Sequence, residues 1–428
     1  MSVNKCMLNP LTGKTIFVQI AAYRDRELLP TLKDMLAKAD EPENLHVCIA
    51  WQHDKKDEWD QLDDYIKDKR FTIIDIDASD SKGACWARHL IQQKYNNEYF
   101  TLQLDSHHRF AKHWDTVLKN TFYSLQISGV KKPLLTGYLP AYEPDTGKRE
   151  KEPWRLRYQR FAPEGPLHTI PEVIPDWRDH TGPVRARFYS AHFCFTLGKF
   201  SKEVQHDPNL YFHGEEITIA VRAFTKGYDL YHLHIPLIWH HYYRSGSSKH
   251  WDDNSEWGML NKKSYARVRG LFQMDGESIS SEDIGEFGFG TKRSLKDYEK
   301  YAGVRFSDRG IQQYTHDNFY PPNPVVKVGY DDSFIHLFKF CIDVGKDRLQ
   351  GHKDFIFWAL AFEDKDGNEM YREDVNPPEI RASFNNGTGT YNIWREFPTK
   401  ELPHKWIVWP QTKDGVWLDR IEGNISNV

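Results

Sequence analysis

The chain has 428 residues, of which 39% are hydrophobic, 14% aromatic and 28% charged, so it is long enough for two or three domains with sizeable cores. Its formal net charge of −4 and sequence pI of about 6.6 leave no positive excess, which argues against a nucleic-acid partner. The five cysteines are scattered without a Cys-x-x-Cys pair, and we expect reduced, mostly buried thiols.

Strands and helices alternate through the first part of the chain. Compact apolar runs predict strands, and apolar residues at helical spacing predict the helices between them. The predicted strands are Thr15–Ala21, Leu45–Trp51, Phe71–Ile76, Tyr99–Leu104, Leu134–Tyr138, Phe188–Leu197, Tyr228–Tyr231 and Ile235–Trp239. The predicted helices are Leu28–Ala39, Gly83–Tyr95, Trp114–Leu125 and Ile217–Thr225. This alternation favours an α/β class with a parallel, Rossmann-like sheet, although the dinucleotide-binding glycine fingerprint is missing after the first strand.

Two other segments differ in character. Pro140–Pro183 is rich in proline, charge and aromatic residues, which predicts a long loop that serves as a flap or binding surface. Beyond Pro321-Pro-Asn-Pro324 the chain turns to strand-like runs at 325–343, 355–363, 379–384, 406–409 and 415–421. Asp-Gly and Asn-Gly turns separate several of these runs. We therefore predict a catalytic domain over 1–320 and an all-β, sandwich-like accessory domain over 321–428.

The tryptophans of the second predicted domain have two readings. They could form a platform for sugar rings, but core packing is favoured because most of them fall inside apolar strand patterns. They are Trp358, Trp394, Trp406, Trp409 and Trp417.

A candidate metal site follows the buried run Tyr99–Leu104. The strand ends in Asp105, Ser106 and His107, and the carboxyl edge of an open α/β sheet is where such folds bind ligands. Two ligands make a poor cage alone, but they suit Mn²⁺ or Mg²⁺ if substrate phosphates complete the coordination. The structural alternative is a strand followed by a polar turn.

Two later clusters carry similar alternatives. Glu215 and Glu216 precede a helical pattern, where negative charge caps a helix; one of them could instead hold a sugar hydroxyl or position a reacting group. His240 and His241 follow a strand and are either hydrogen-bonded core residues or metal ligands.

Several motifs, in this order, resemble those of glycosyltransferase family 60, the hydroxyproline polypeptide N-acetylglucosaminyltransferases related to the enzyme that modifies the ubiquitin-ligase adaptor Skp. The resemblance covers roughly residues 14–310 and excludes the C-terminal β region. Ala84 stands where we expect a proline, a minor departure that affects only the start of a helix. The matching motifs are Ala22-Tyr-Arg-Asp25, Gly83-Ala-Cys-Trp-Ala-Arg88, Leu104-Asp-Ser-His-His-Arg-Phe110, Phe212-His-Gly-Glu-Glu-Ile217, His240-x-Tyr242-x-Arg244 and Gly290-Thr-Lys-Arg-Ser-Leu.

The resemblance implies a GT-A fold and a retaining transferase that uses a UDP-sugar, with N-acetylglucosamine as the sugar. Asp105 and His107 become metal ligands with His240 as the third and His241 as the alternative, and Mn²⁺ is favoured over Mg²⁺. Glu215 and Glu216 would bind donor-sugar hydroxyls or position the acceptor. No dedicated catalytic base is required, because the leaving phosphate is thought to take the acceptor proton. The nucleotide-sugar would contact Tyr23, Arg24, Asp25, Arg88, Asp105, Ser106, Gly214, Tyr242 and Arg244.

The acceptor stays open at this stage. It could be a hydroxyproline, serine or threonine hydroxyl of a protein, or a glycan. In a second hypothesis, a protein of the same fold uses another UDP-hexose and a glycan, a small molecule or a modified nucleobase as the acceptor. In a third, the chain is a non-catalytic carbohydrate-binding protein. The N-terminal residues lack the apolar core of a signal peptide and no run approaches the ~18 apolar residues of a membrane span, so we expect a cytoplasmic location.

Overall fold

The computed structural model describes residues 10–162, 164–243, 246–327 and 329–425. The chain divides into two units, the first formed by Met1–Ser307 with Asp317–Pro324 and the second by Asp308–His316 with Val325–Val428. Among the described helices, none combines the length and apolar composition that crossing a bilayer requires.

The first unit alternates strands and helices along most of its length. Its strands are β1 (Ile16–Tyr23), β2 (Leu45–His53), β3 (Phe71–Asp77), β4 (Phe100–Asp105), β5 (His108–Phe110), β6 (Pro133–Thr136), β7 (Trp154–Phe161), β8 (Leu167–Val173), β9 (Val184–Arg185), β10 (Phe193–Leu197), β11 (Asp229–His232), β12 (Ile238–His240) and β13 (Val304–Arg305). Its helices are α1 (Leu28–Lys38), α2 (Asp63–Ile66), α3 (Ala84–Gln92), α4 (Trp114–Ile127), α5 (Phe200–Glu203), α6 (Glu215–Thr225), α7 (His250–Asp253), α8 (Trp257–Phe272), α9 (Ser281–Ile284) and α10 (Leu295–Ala302).

Eight strands form one sheet in the order β3-β2-β1-β4-β10-β6-β11-β9. The pairs β3–β2, β2–β1, β1–β4 and β6–β11 are parallel, whereas β10 and β9 pair antiparallel with their neighbours. The predicted α/β class with a mostly parallel sheet, as the GT-A resemblance implies, is confirmed.

Helices cover both faces of this sheet. Side chains of successive residues in a strand point to opposite faces, and β1 shows both outcomes. Val18 and Ile20 belong to a core cluster with residues of α1 and α4, whereas Phe17 packs in a second cluster with Ala87 and Ile91 of α3. Burial on both sides explains why these strands are continuous apolar runs in the sequence.

The predicted loop Pro140–Pro183 is partly wrong, because it contains an antiparallel hairpin of β7 and β8. Trp154, Leu156 and Tyr158 alternate with arginines, and Leu156 and Tyr158 are buried. That period of two residues is a strand signal, which the prolines and charges of the surrounding sequence obscured.

The second unit consists of two sheets, as predicted for a sandwich-like region. Within it, β14, β15, β19 and β18 lie side by side in one sheet, and the other has the order β17-β16-β20-β21. Ile342 and Ile393 of the first sheet share a core cluster with Leu360 and Val408 of the second. Its elements are β14 (Gly310–Gln312), β15 (Phe334–Gly345), β16 (Phe355–Glu363), β17 (Glu369–Val375), β18 (Phe384–Asn385), β19 (Thr390–Thr399), β20 (Lys405–Thr412), β21 (Ile421–Asn424), α11 (Gln313–His316) and α12 (Pro377–Ala382).

Two expectations for this region need correction. The predicted strand at 379–384 is mostly the helix α12, which Asn376 caps by accepting a hydrogen bond from the Glu379 amide at 3.1 Å. The prediction that the tryptophans pack in the core is correct for Trp358, which is fully buried. It is wrong for Trp394, which is 59% exposed, and for Trp409 and Trp417, which are also exposed.

Candidate active site

A cleft of about 370 Å³ lies where the parallel strands of the first unit end. Tyr23 of β1, Gln52 of β2 and Asp105 of β4 reach it from the carboxyl ends of their strands. Small-molecule sites in open α/β sheets occupy this edge, and the volume falls within the range of such sites.

Asp105, His107 and His240 come together inside this cleft. The Nε2 atom of His240 lies 3.3 Å from Oδ2 of Asp105, and Nε2 of His107 lies 3.8 Å from the same oxygen. One ligand atom from each residue can be chosen so that all three lie within 4.8 Å of one another. His240 reaches this position because β12 pairs antiparallel with β5, which places it opposite His108.

Asp25 lies behind His107 and determines how its ring is presented. The buried carboxylate accepts hydrogen bonds from Ser106 Oγ at 2.6 Å and from His107 Nδ1 at 2.7 Å. With Nδ1 engaged, Nε2 of His107 is the atom directed at Asp105. Metal-binding histidines commonly bond a carboxylate in this way through their second nitrogen. A direct contact of Asp25 with the nucleotide stays a prediction.

Arg88 of α3 joins Asp105 to Glu215. Its guanidinium donates to Asp105 Oδ1 at 2.7 Å and to both oxygens of Glu215 at 2.9 Å. Burial alone would raise the pKa of Asp105, but the hydrogen bond with His240 and the charge of Arg88 hold that pKa well below its usual range. Burial opposes ionisation of Glu215 too, but the charge of Arg88, together with the interactions of His206 and Cys85, outweighs burial and lowers the pKa of Glu215 to about 2.

Cys85, His206 and Glu215 form a second cluster of groups that can bind metals. The Cys85 thiol donates to Glu215 Oε2 at 3.0 Å. Burial, followed by the charge of Glu215, raises the pKa of this thiol well above its usual value and keeps it neutral. Because Arg88 already supplies a positive charge to both oxygens of Glu215, the cluster is filled by protein groups and does not suit a cation.

Glu216 behaves differently from its neighbour Glu215. Its Oε1 accepts a hydrogen bond from the Ala191 amide at 2.9 Å. Burial, which the bond from Ala191 only partly offsets, raises the pKa of Glu216 to about 7. The two adjacent carboxyl groups therefore differ in charge near neutral pH, with Glu215 ionised and Glu216 partly protonated.

Other predicted nucleotide-sugar residues also line the cleft. They include Tyr23, Arg88, Ser106 and Tyr242, together with the alternative ligand His241. Tyr242 donates to the Leu139 carbonyl at 2.7 Å and stacks on Tyr138 with ring centroids 4.7 Å apart. Its ring is thus fixed against the wall beside His240.

Arg24 and Gly214 have roles in supporting structure. Arg24 forms ion pairs with Asp57 at 2.7 Å and Asp253 at 3.0 Å. Gly214 precedes α6 with φ of +96°, and a Cβ there would lie 2.5 Å from Val268 Cγ2. The predicted contacts of both with the nucleotide stay predictions, and Arg244 lies outside the described residues.

The sequence analysis missed part of the cleft wall. Gln52, Ser81, His250 and Trp251 all line it. His250 bonds the Tyr211 hydroxyl at 2.7 Å through Nδ1 and the Ser81 carbonyl at 2.9 Å through Nε2. His250 begins a helix of only four residues, which gives no periodic signal, so the sequence did not point to it.

The amino-acid sequence of this chain matches a known protein family. The family model described as "Glycosyltransferase (GlcNAc)" matches residues 15–67 and 59–308. These ranges contain the parallel sheet and the whole Asp105, His107 and His240 cluster. Comparison with curated proteins gives no match.

Solved structures give distant similarities. The crystal structure of GalNAc-T7 with UDP, GalNAc and Mn²⁺ is similar at 15% identity, over 67% of this chain and 54% of that chain, with a TM-score of 0.43. This chain thus spans about half the length of GalNAc-T7. Staphylococcus aureus TarS 1-349 in complex with UDP is similar at 11% identity, over 63% of this chain and 74% of that chain, with a TM-score of 0.35. The longer S. aureus TarS structure is similar at 10% identity over 96% of this chain and 77% of that chain, with a TM-score of 0.36.

Proposed function

Because the chain belongs to the GlcNAc glycosyltransferase family, we propose that it is a retaining, metal-dependent transferase that moves a sugar from a UDP-sugar to a hydroxyl acceptor. The proposed catalytic domain spans 1–320 and the sugar is N-acetylglucosamine. Within the family, the motifs favour family 60 of the glycosyltransferases. The juxtaposition of Asp105, His107 and His240 in the cleft is the observation on which the proposal mainly depends.

The three side chains suit a divalent cation. One carboxylate oxygen and two imidazole nitrogens converge in the cleft, and this mixture fits Mn²⁺, with Mg²⁺ as the alternative. Three protein ligands leave positions for phosphate oxygens. When bound, the cation would offset the charge that grows on the departing diphosphate.

The residues around the cluster hold Asp105 and His107 in the orientation that binding a cation would require. Asp25 orients His107, and Arg88 keeps Asp105 ionised and fixed at one oxygen. Since these bonds exist before substrate arrives, little reorganisation is needed when the donor binds. Glu215 acts through Arg88 as a positioning residue.

Glu215 and Glu216 are not among the residues that line the cleft; of the two, Glu216 is proposed for contact with a sugar or acceptor hydroxyl, because Arg88 already binds both oxygens of Glu215. Its raised pKa, about 7, lets it donate or accept a hydrogen bond near neutral pH. A retaining route in which the leaving phosphate accepts the acceptor proton needs no stronger base.

The acceptor proposal is a hydroxyl of hydroxyproline, serine or threonine in a protein, and it rests on the family 60 motifs. A glycan acceptor is the alternative. Peptides that contain each hydroxyl, and free oligosaccharides, would separate the two when incubated with the enzyme, the best donor and Mn²⁺.

A donor-hydrolysis screen tests the central proposal. We expect slow hydrolysis of a UDP-sugar with added Mn²⁺ and little with GDP- or CDP-sugars. Asp105→Ala should abolish the metal-dependent rate, and it should also lower the melting temperature because it removes a partner of the buried Arg88. Asp229→Ala is a matched control, because Asp229 is similarly exposed and is paired with an arginine, Arg293, at 2.8 Å.

The outcomes distinguish the alternatives. Full turnover of Asp105→Ala in metal-free buffer would refute the metal site. Hydrolysis of another UDP-hexose would keep the metal site and change the sugar. Glycan binding without Mn²⁺-dependent UDP binding or hydrolysis would show a carbohydrate-binding protein instead.

A further inference from the structure

His108 follows the proposed ligand His107 and is fully buried. Its ring bonds the two segments that supply the other ligands. Nε2 accepts a hydrogen bond from the Asp105 amide at 3.1 Å, and Nδ1 lies 3.1 Å from the Trp239 carbonyl.

These two bonds fix the tautomer of His108. A backbone amide can only donate and a carbonyl can only accept. The ring is therefore neutral, with its proton on Nδ1 directed at Trp239 and its lone pair on Nε2 directed at Asp105. A ring in this state connects the end of β4 to the middle of β12.

The bonded atoms belong to, or adjoin, the proposed ligands. The amide is that of Asp105 itself, and the carbonyl belongs to the residue before His240. The ring of His108 also packs edge-on against the ring of His240, with centroids 5.0 Å apart. A shift of His108 would therefore move the Asp105 carboxylate and the His240 imidazole relative to each other.

The turn that carries His108 is held from α1. The His108 amide donates to Thr31 Oγ1 at 2.8 Å, and the buried Thr31 hydroxyl lies 3.0 Å from the Ser106 carbonyl. The backbone is thus anchored on one side, and the ring holds β12 on the other.

We propose that His108 is a positioning residue that sets the separation of Asp105 and His240 by bonding both of their segments. The inference rests on the proposed metal site and concerns this chain's own residue at a position that the family motif leaves unspecified. Partners of metal ligands typically change metal affinity roughly 10–100-fold when they are replaced. A comparable change is expected here.

The test uses three variants of the full chain. His108→Asn keeps an amide near the position of Nδ1, so it retains the bond to Trp239 and loses the bond to Asp105. His108→Gln reaches the position of Nε2, so it retains the bond to Asp105 instead. His108→Phe removes both bonds, and the two amide variants keep the test valid if this one does not fold.

His232 provides a matched control. It is buried like His108, its Nδ1 lies 3.1 Å from the Thr136 carbonyl, and its Nε2 accepts from the Leu156 amide at 3.3 Å. The same three substitutions at His232 remove the same kinds of bond without touching Asp105 or His240. They report the effect of a lost buried histidine alone.

The measurement is Mn²⁺ binding by calorimetry with UDP present, together with the melting temperature of the metal-free protein. We expect the His108 variants to weaken Mn²⁺ binding roughly 10–100-fold, and His108→Phe to bind Mn²⁺ most weakly of the three. The His232 variants should lower the melting temperature by about as much as the His108 variants do, but they should bind Mn²⁺ as the wild type does. If wild-type binding depends on Asp105 but His108 and His232 variants bind equally, this inference alone is refuted. If the wild type binds Mn²⁺ no better than Asp105→Ala, the proposed metal site is refuted and the role of His108 with it.

Discussion

Replacing Arg88 with methionine should destabilise the first unit in a pH-dependent manner. The change removes three hydrogen bonds of 2.7 to 2.9 Å and leaves the carboxylate of Glu215 buried without its counter-charge. Breaking a buried ion pair by removing one partner typically costs about 3–5 kcal/mol. His206 is a poor substitute for Arg88 as the counter-charge of Glu215, because burial lowers the pKa of His206 and so favours its neutral form.

The part of this loss that depends on pH has an upper limit, which is the free energy needed to protonate Glu215 in the variant. An ordinary glutamate titrates near 4.5, so protonating it near pH 7 costs roughly 3.4 kcal/mol, and near pH 5 only about 0.7 kcal/mol. We therefore expect Arg88→Met to lose about 3–4 kcal/mol near pH 7 and roughly 1 kcal/mol near pH 5. Arg88→Met with Glu215→Gln should recover most of the loss near pH 7, since no unpaired carboxylate remains.

Urea unfolding of the full chain at both pH values provides the measurement, and amide hydrogen exchange in α3 and α6 assigns the loss to this region. Arg70→Met is a control for an exposed pair, since Arg70 and Asp68 are both partly exposed and such pairs contribute about 0–1 kcal/mol. An equal loss at the two pH values, or a loss no larger than that of Arg70→Met near pH 7, would contradict a buried charge on Glu215.

Two further predictions concern a titrating carboxyl and the second unit. The pKa of Glu216 is raised to about 7 from an ordinary value near 4.5, so the contribution of protonated Glu216 to stability is fully present below about pH 4.5 and is lost as pH rises through 7. The melting temperature of the wild type should therefore fall between pH 5 and pH 8, and Glu216→Gln should make this fall smaller. An unchanged slope in the variant would refute the raised pKa. Trp358→Ala should lower the free energy of unfolding by about 3–5 kcal/mol, because this side chain is fully buried. Trp394→Ala should change it by less than about 0.5 kcal/mol, because Trp394 is exposed. Equal effects of the two changes in urea unfolding would mean that the core of the second unit is misassigned.

Most strands of the first unit could be predicted because both faces of the sheet are covered. Such strands are continuous apolar runs, and those beginning near Thr15, Leu45 and Phe71 lie within a few residues of their predicted bounds. The hairpin of β7 and β8 was not predicted, since its alternating pattern is short and lies among prolines. The helix α12 was mistaken for a strand, although Asn376 and Pro377 provide the capping signals of a helix start.

The parts of the candidate site that are close together in the sequence could be predicted, and the parts that only the fold brings together could not be inferred from local pattern. Asp105 and His107 are neighbours in the sequence, so their proximity could be inferred from a strand end alone. His240 was placed with them by resemblance, and its approach depends on the pairing of β5 with β12. The roles of Cys85, His206 and Asp25 could not be predicted, because each depends on a tertiary contact with a residue far away in the chain.

The pairing of β5 with β12 also has a consequence for biosynthesis. His240 leaves the ribosome 135 residues after Asp105, an interval of roughly 7–27 s at usual rates of translation. Until then a nascent polypeptide holds only two of the three clustered side chains, Asp105 and His107. A polypeptide that ends before β12 would therefore lack the third residue of this cluster, however completely the rest of its sheet had formed.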